Sequence, residues 1–113
     1  MSLFGRKRPV IRKSLVGFVV GEAHYAVDLH RVKEITPPHP MAPPPQGPPA
    51  LIGMAQRREG AVPVICLRTR FGLPASIQPS EQKWLYIRTQ ATLVAIVVDE
   101  VSGVFGPEPG SQK

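Results

Sequence analysis

Apolar and polar positions alternate along the chain in short stretches that end at glycine or polar residues. Residues 15–20 (LVGFVV) and 23–29 (AHYAVDL) each place alternate side chains on one side of an extended strand. The Gly21-Glu22 connection between them is short enough to predict a β-hairpin. VKEI at residues 32–35 indicates a third short extended segment.

The same pattern predicts a second hairpin, made of residues 51–56 and 62–67 around a charged turn. Glu59-Gly60 resembles the Asp-Gly and Asn-Gly pairs that close tight turns, because glycine accepts positive φ. Pro63 has no N–H to donate, so we expect it at a sheet edge or a bulge. Residues 66–72 predict one short helical turn, and residues 84–105 predict two strands and a bend.

A proline-rich segment separates the two hairpins. Residues 37–49 hold eight prolines in thirteen positions, which favours polyproline II over any hydrogen-bonded strand. Such a segment is a ligand for an SH3-type or WW-type module, or a stiff surface connection. The strand signals on both sides favour the connection.

The apolar positions repeat at an offset of 69 residues. Residue n and residue n+69 match at six apolar positions, namely Tyr25, Ala26, Val27, Leu29, Val32 and Ile35 with Val94, Ala95, Ile96, Val98, Val101 and Val104. The hairpin at residues 51–67 would recur near residues 120–136, beyond residue 113. We therefore expect one complete and one truncated β module, with unpaired strand edges that need a cover.

Composition narrows the class of protein. Fourteen prolines and ten glycines in 113 residues argue against a helical bundle. The single Cys66 has no disulfide partner and is expected to be a buried, inert thiol. The chain shows no secretory signal, and its longest apolar run, residues 93–98, is too short to span a membrane. We therefore expect a cytoplasmic protein.

The net charge of +6 is concentrated at the N-terminus. Five of the fourteen basic residues lie within residues 1–13, whereas residues 14–113 hold nine basic and eight acidic groups. One interpretation is a small basic β-barrel that binds nucleic acid through this Lys/Arg tail. That function requires aromatic and basic residues interleaved on one sheet face, but the aromatics here lie among apolar neighbours. We therefore do not expect nucleic acid as the partner.

The sequence contains no pattern typical of catalysis. The three histidines, His24, His30 and His39, have no metal-binding spacing, and no glycine-rich loop is present to bind phosphate. Asp99 and Glu100 are adjacent in an extended segment, so their carboxylates point to opposite faces. We predict a protein that is not an enzyme and has no cofactor, metal or small-molecule substrate.

Five motifs in order resemble the CheW-like coupling proteins of bacterial chemotaxis. They are the Phe18–Val27 pattern ending in YAV, VKEI at 32–35, GxxxxRxxxVPVI at 53–65, FGL at 71–73 and VVDEV at 97–101. The resemblance implies a mostly all-β fold of two SH3-like β-barrel halves, with the second truncated at its C-terminal hairpin. The domain prediction is a basic flexible tail (1–14), a CheW-like domain (15–105) and a frayed tail (106–113). The halves cover about 15–70 and 82–105.

The resemblance also implies a non-catalytic adaptor. Its partners are the cytoplasmic tip of a chemoreceptor (a methyl-accepting chemotaxis protein) and a CheA-type histidine kinase or another CheW-like protein. The positions that match the family's receptor-binding residues are Val32, Glu34, Ile35, Gly53 and Arg58, with Arg57 as an additional contact. The missing hairpin implies reduced kinase contact.

The turn departs from the family's usual G-x-x-N-L-R-G. Gln56, Arg57 and Glu59 stand where the resemblance leads one to expect Asn, Leu and Gly. Without the resemblance, the two arginines are a solvated turn that pairs locally with Glu59, a contact of little energetic value.

Overall fold

A computed structural model of the protein describes residues 14–106. The strands of this part are β1 (Leu15–Val20), β2 (Ala23–Asp28), β3 (Val32–Thr36), β4 (Leu51–Arg57), β5 (Gly60–Cys66), β6 (Lys83–Arg88), β7 (Leu93–Val98) and β8 (Glu100–Phe105). One short helix, α1 (Leu67–Arg70), follows β5, and 3-10 turns lie at Leu29–Arg31 and Pro79–Glu81. The mostly β fold class is confirmed.

Both hairpins form as predicted. β1 and β2 pair antiparallel with Phe18 opposite Tyr25, and β4 and β5 pair with Arg57 opposite Gly60. Gly60 has a φ of +117°, which a residue with a side chain rarely adopts, so glycine is required at this turn. Pro63 pairs only toward β4, because the ladder between β5 and β7 begins at Val64.

Residues 84–105 differ from the prediction. They form three strands rather than two strands and a bend, because the chain resumes pairing directly after Asp99. The Asp99 carboxylate accepts hydrogen bonds from the Gly21 N–H at 2.7 Å and from Arg68 at 2.6 Å, which fixes the break between β7 and β8. Beyond it, β8 pairs with β1, with Val101 opposite Phe18.

The two copies of the repeat exchange their third strands. β3 of the first copy pairs with β6, and β8 of the second copy pairs with β1. The sheets have the strand orders β2-β1-β8 and β3-β6-β7-β5-β4, so hydrogen bonding crosses the predicted boundary between residues 70 and 82. The domain boundaries themselves stay a prediction.

The β6–β7 hairpin separates two hydrophobic cores. Trp84 and Tyr86 on β6 face the first core, whereas Leu85 and Ile87 face the second. The first core lies inside the five-stranded sheet, and the second lies between that sheet and β1. A hairpin that is buried on both faces explains the nearly continuous apolar run of β7.

The five-stranded sheet curls until its two end strands meet. The Lys33 ammonium lies 2.9 Å from the Glu59 carboxylate, which joins β3 to the turn after β4. The proline-rich connection then runs along β4, where Ala42 and Met54 exchange backbone hydrogen bonds of 2.7 and 2.9 Å. In the three-stranded sheet, by contrast, β2 pairs with β1 alone among the described strands.

Cys66 is a free thiol but is half-buried, so the prediction of a buried thiol was wrong. It is the last residue of β5, directly before α1. The basic tail and the C-terminal tail fall almost entirely on residues 1–13 and 107–113, outside the described part. Within residues 14–106, no helix is long and apolar enough to cross a membrane, and no His, Cys, Asp and Glu cluster suits a metal ion.

Candidate docking site

A charged cleft lies between β3 and the turn that joins β4 to β5. Its volume is about 450 Å³, and it is lined by Lys33, Glu34, Gln56, Arg57, Arg58 and Glu59. Because β3 and the β4–β5 turn are the two ends of the curled sheet, barrel closure brings these six residues together. Three of the predicted site residues, Glu34, Arg57 and Arg58, therefore share one surface.

Two ion pairs account for four of the five charges in the cleft. Arg57 donates a short hydrogen bond to Glu34, and its guanidinium lies 4.4 Å from the centroid of the Tyr86 ring. Lys33 pairs with Glu59 in the turn between β4 and β5. The interpretation that the arginines pair locally with Glu59 was therefore wrong, because Glu59 is engaged by Lys33 and Arg57 by Glu34.

These contacts set the protonation behaviour of the cleft. The hydrogen bond to Glu34 raises the pKa of the Arg57 guanidinium, which stays cationic. The hydrogen bond from Lys33 lowers the pKa of Glu59 below its ordinary value. Burial raises the pKa of the Tyr86 phenol, although the nearby Arg57 charge acts in the opposite direction. At neutral pH the cleft therefore holds two neutralised ion pairs above a neutral phenol.

Arg58 differs from its neighbour. Its side chain is exposed, and within residues 14–106 it has no hydrogen-bond or ion-pair partner. With the other four charges paired, Arg58 leaves the cleft with a net charge of +1. A free guanidinium offers five donors in a planar fork that matches a carboxylate or a set of carbonyls. The cleft is thus prepared to accept an acidic or carbonyl-rich partner at Arg58.

The rings of His39, Trp84 and Tyr86 form a cluster that Arg57 contacts through Tyr86, called the aromatic floor of the cleft here. The Tyr86 hydroxyl is 2.7 Å from the Nε2 of His39, and the His39 ring lies 4.3 Å from the Trp84 ring. Nδ1 of His39 lies 3.2 Å from the Pro40 carbonyl, which is a fitting acceptor for a proton on that nitrogen. Through His39, the aromatic floor therefore connects the proline-rich connection to β6, whose Tyr86 ring contacts Arg57.

Val32 and Ile35 lie on the other face of β3. Their cross-strand neighbours on β6, Ile87 and Leu85, belong to the second core, whereas Glu34 lies opposite Tyr86 of the first. Val32 is half-buried against that second core, and Ile35 is 43% exposed. The predicted site thus consists of an apolar strip and a charged cleft on opposite faces of one edge strand.

Gly53 lies beneath the proline-rich connection rather than on the surface. A Cβ at this buried position would clash with the Met41 sulfur and would lie 2.9 Å from the Ala42 carbonyl oxygen. Gly53 therefore allows the connection to pack on β4, and it does not line the charged cleft.

Comparison with known proteins decides the family. A model of the CheW-like domain matches residues 14–110, which is most of the chain. The chain belongs to the CheW-like family. It is also similar in fold to the scaffolding protein TtCheW from Thermoanaerobacter tengcongensis, with a TM-score of 0.77 and 24% identity. That match covers 89% of this chain and 69% of TtCheW.

Two curated relatives have the same domain. The chain is 28% identical to the chemotaxis protein CheW of Helicobacter pylori over 87 residues, which is 77% of this chain and 53% of the relative. It is 25% identical to CheW of Rhizobium meliloti over 81% of this chain and 59% of the relative. This CheW-like chain thus spans little more than half the length of the curated relatives that it matches.

Sequence reasoning did not propose Lys33, Gln56 and Glu59 of the CheW-like cleft, nor His39, Trp84 and Tyr86 of its floor. One signal was present, because Lys33 and Glu59 have opposite charges on elements that flank the same barrel. The alternation of side chains along β4 was a further signal, because it gives the direction of the Arg57 side chain. Ala55 faces the first core, and Arg57 two residues later lies on the same face, as strand alternation requires.

Proposed function

We propose that this CheW-like chain is a non-catalytic, cytoplasmic adaptor of a bacterial chemosensory system. It binds the cytoplasmic tip of a chemoreceptor and links that tip to a CheA-type histidine kinase. Membership of the CheW-like family supports the proposal, as do relatives named chemotaxis protein CheW and a similar fold in a scaffolding protein.

The observation that carries the proposal is that Arg58 has no ion-pair partner within residues 14–106, whereas the neighbouring Arg57 and Lys33 are both paired. A receptor tip is a helical hairpin, and an amphipathic helix is recognised by an apolar contact together with polar anchors. Ile35 supplies exposed apolar surface on β3, and Arg58 supplies a cation without a competing partner in the described part. Arginine is also enriched among the residues that contribute most to interface energy.

Within this proposal the predicted residues have different roles. Arg58 contacts the receptor from the charged cleft, and Ile35 contacts it from the other face of β3. Glu34 and Arg57 shape the cleft through their ion pair, and Gly53 lets the proline-rich connection pack on β4. Val32 holds β3 against the second core, so its role is to position Ile35.

The test is a titration of the full chain with a receptor-tip fragment. We expect Arg58→Ala to weaken binding about 10-fold, which corresponds to about 1.4 kcal/mol for a central interface arginine. Val32→Asp should weaken binding through displacement of β3. Arg70→Ala removes another exposed arginine, at the end of α1, and should leave the affinity unchanged. Equal affinities for wild type, Arg58→Ala and Val32→Asp would contradict the receptor assignment.

Kinase coupling and the nucleic-acid alternative are tested separately. A titration with the regulatory domain of a CheA-type kinase measures the second partner. Deletion of residues 1–13 should leave receptor binding intact, because the proposed site lies on β3 and the β4–β5 turn. Salt-sensitive binding to DNA or RNA that disappears on this deletion would favour the alternative.

A further inference from the structure

The end of the molecule at which β1 begins carries two arginines that the proposed docking site does not use. The Arg31 guanidinium donates to the Arg88 carbonyl at 3.2 Å, and the Arg88 guanidinium donates to the His30 carbonyl at 3.4 Å. Both arginines are exposed, and within residues 14–106 neither has a carboxylate partner. The Asp28 carboxylate at this end instead accepts from the His30 N–H at 2.9 Å. Because a guanidinium has five donors, most donors of both arginines remain available to an outside anion.

Exposed apolar side chains adjoin these arginines. Leu29 begins the 3-10 turn that contains Arg31 and is 36% exposed. Phe105, at the end of β8, is 50% exposed. Leu15 of β1 pairs with Asp28 on one side and with Phe105 on the other, which separates the two apolar side chains by about two strand spacings, or about 10 Å. The surface that combines these cations and apolar side chains, called the basic end below, consists of Leu29, Arg31, Arg88 and Phe105.

The basic tail is attached at the same end. The Leu29 N–H donates to the Ser14 carbonyl at 2.9 Å, so residue 13 joins the described part of the chain beside Leu29. Residues 1–13 contain five basic residues and no acidic residue. The apolar residues of this segment are Met1, Leu3, Phe4, Val10 and Ile11. In sequence the tail therefore has the same mixture of positive charge and apolar side chains as the basic end.

The carboxylates without an ion pair lie at the opposite end. Asp99 accepts hydrogen bonds from the Gly21 N–H and the Gln82 amide, where β1 has ended. The carboxylates next to these three residues in sequence are those of Glu22, Glu81 and Glu100. All three are exposed, and within residues 14–106 none has an ion-pair partner. The length of β1, about 17 Å, separates them from the basic end, so a negative surface would attract the basic end and repel the other.

We propose that the basic end docks on a membrane surface that contains anionic phospholipids. Such a surface attracts basic residues electrostatically, and apolar side chains beside them enter the boundary between headgroups and acyl chains. A nucleic acid would attract the same cations but would gain nothing from Leu29, which has no ring for base stacking. The charged cleft at Arg58 is not part of the basic end, so lipid docking is separate from the proposed receptor contact.

The charges and the apolar side chains contribute to this docking in different ways. Each basic residue near an anionic membrane surface strengthens binding about fivefold, so Arg31 and Arg88 together contribute about 25-fold. Salt screens this contribution. Leu29 and Phe105 add a contribution from apolar burial, which salt does not screen. We therefore expect binding that requires anionic lipid and weakens with salt, and that also depends on the apolar side chains.

The experiment is cosedimentation of the full chain with phosphatidylcholine vesicles that contain or lack phosphatidylserine. We expect binding to the phosphatidylserine vesicles alone. Arg31→Gln and Arg88→Gln should each weaken it about fivefold, and deletion of residues 1–13 should weaken it by about tenfold or more. Leu29→Ser should weaken it about threefold through lost apolar contact.

Two control variants match these changes. Arg70→Gln removes one positive charge from the end of α1, near Asp99, and Ile77→Ser changes an apolar residue that is 94% exposed. Both should bind the vesicles as the wild type does. Urea denaturation of each variant checks that the fold is retained, and deletion of residues 1–13 leaves every residue of the described part in place.

The orientation of the bound protein gives an independent result. Vesicles with a paramagnetic headgroup lipid should broaden the NMR signals of Leu29, Arg31 and Phe105 more than those of Glu22 and Glu100. Equal binding to both kinds of vesicle, equal weakening by Arg31→Gln and Arg70→Gln, or unchanged binding of Leu29→Ser would overturn the proposal. So would stronger broadening at Glu100, or tighter binding to DNA than to the vesicles. Arg31→Gln should leave the affinity for the receptor tip unchanged, so this proposal and the proposed function are tested independently.

Discussion

Replacement of Arg57 by alanine should destabilise the fold, whereas the same change at the adjacent Arg58 should not. The Arg57 side chain is 23% exposed, donates to Glu34 and lies over the Tyr86 ring. Arg58 has none of these contacts within residues 14–106. Two neighbouring residues of the same type thus provide a matched pair in which only the contacts differ.

The cost of Arg57→Ala follows from those contacts. Glu34 is 42% exposed, so solvent screens its ion pair, which contributes about 0.5–1 kcal/mol. The cation–π contact with Tyr86 adds about 0.5–1 kcal/mol. The sum is about 1–2 kcal/mol, a substantial part of the roughly 5–15 kcal/mol that stabilises an ordinary domain. At a urea dependence of about 1–1.5 kcal/mol per molar, the unfolding midpoint should fall by about 1 M.

Urea denaturation followed by tryptophan fluorescence measures this difference, because Trp84 lies in the same core as Tyr86. A double-mutant cycle with Glu34→Gln separates the ion pair from the ring contact. The ion-pair coupling should decline in high salt, whereas the contact with Tyr86 should be retained. Equal midpoints for Arg57→Ala and Arg58→Ala, or a coupling of zero with Glu34 at low salt, would refute the structural role of Arg57.

Two further predictions concern other packed sites. Partial burial alone would raise the pKa of Asp99, but hydrogen bonds from Gly21, Gln82 and Arg68 together lower it. Asp99→Asn should lower the free energy of unfolding by about 1–3 kcal/mol at neutral pH. The difference in stability between this variant and the wild type should shrink as the pH falls through the lowered pKa of Asp99. A stability difference that does not change with pH would contradict this prediction. Gly53→Ala should cost about 1–3 kcal/mol, because its Cβ would lie 2.9 Å from a backbone carbonyl oxygen; an unchanged urea midpoint would contradict the close packing.

The hairpins were predictable from the sequence because their signals are local. Alternating apolar residues, Gly21 and Glu59-Gly60 define strand and turn within a few positions, and both hairpins formed with the expected pairing. The exchange of third strands was not predictable in the same way. The repeat gives β3 and β8 equivalent patterns, but their partners are set by packing between the copies rather than by neighbouring residues. The third strand at residues 100–105 was missed because its pairing partner is β1, far away in sequence.

The side-chain contacts of the candidate site were also not predictable from neighbouring residues alone. Arg58 was predicted as a docking residue from the family resemblance, and no local signal separated it from Arg57. Glu34 was assigned to the receptor, but its partner in the structure is Arg57, 23 residues away, which only barrel closure brings near. Gly53 matched the family motif, yet its close contact is with Met41 of the proline-rich connection. Long-range closure of the sheet therefore determined which matched positions remain accessible.

The adjacent arginines illustrate how a departure from the family pattern is accommodated. The resemblance leads one to expect an apolar leucine at position 57, and strand alternation directs this position toward the first core. A guanidinium there would be costly to bury alone. Instead, the Arg57 guanidinium packs over the Tyr86 ring and forms an ion pair with Glu34. The cation therefore occupies an apolar position without being left unpaired. Because Glu34 is committed to Arg57 and Glu59 to Lys33, no carboxylate of the cleft remains to neutralise Arg58. The accommodation of one arginine thus leaves the other available to a partner.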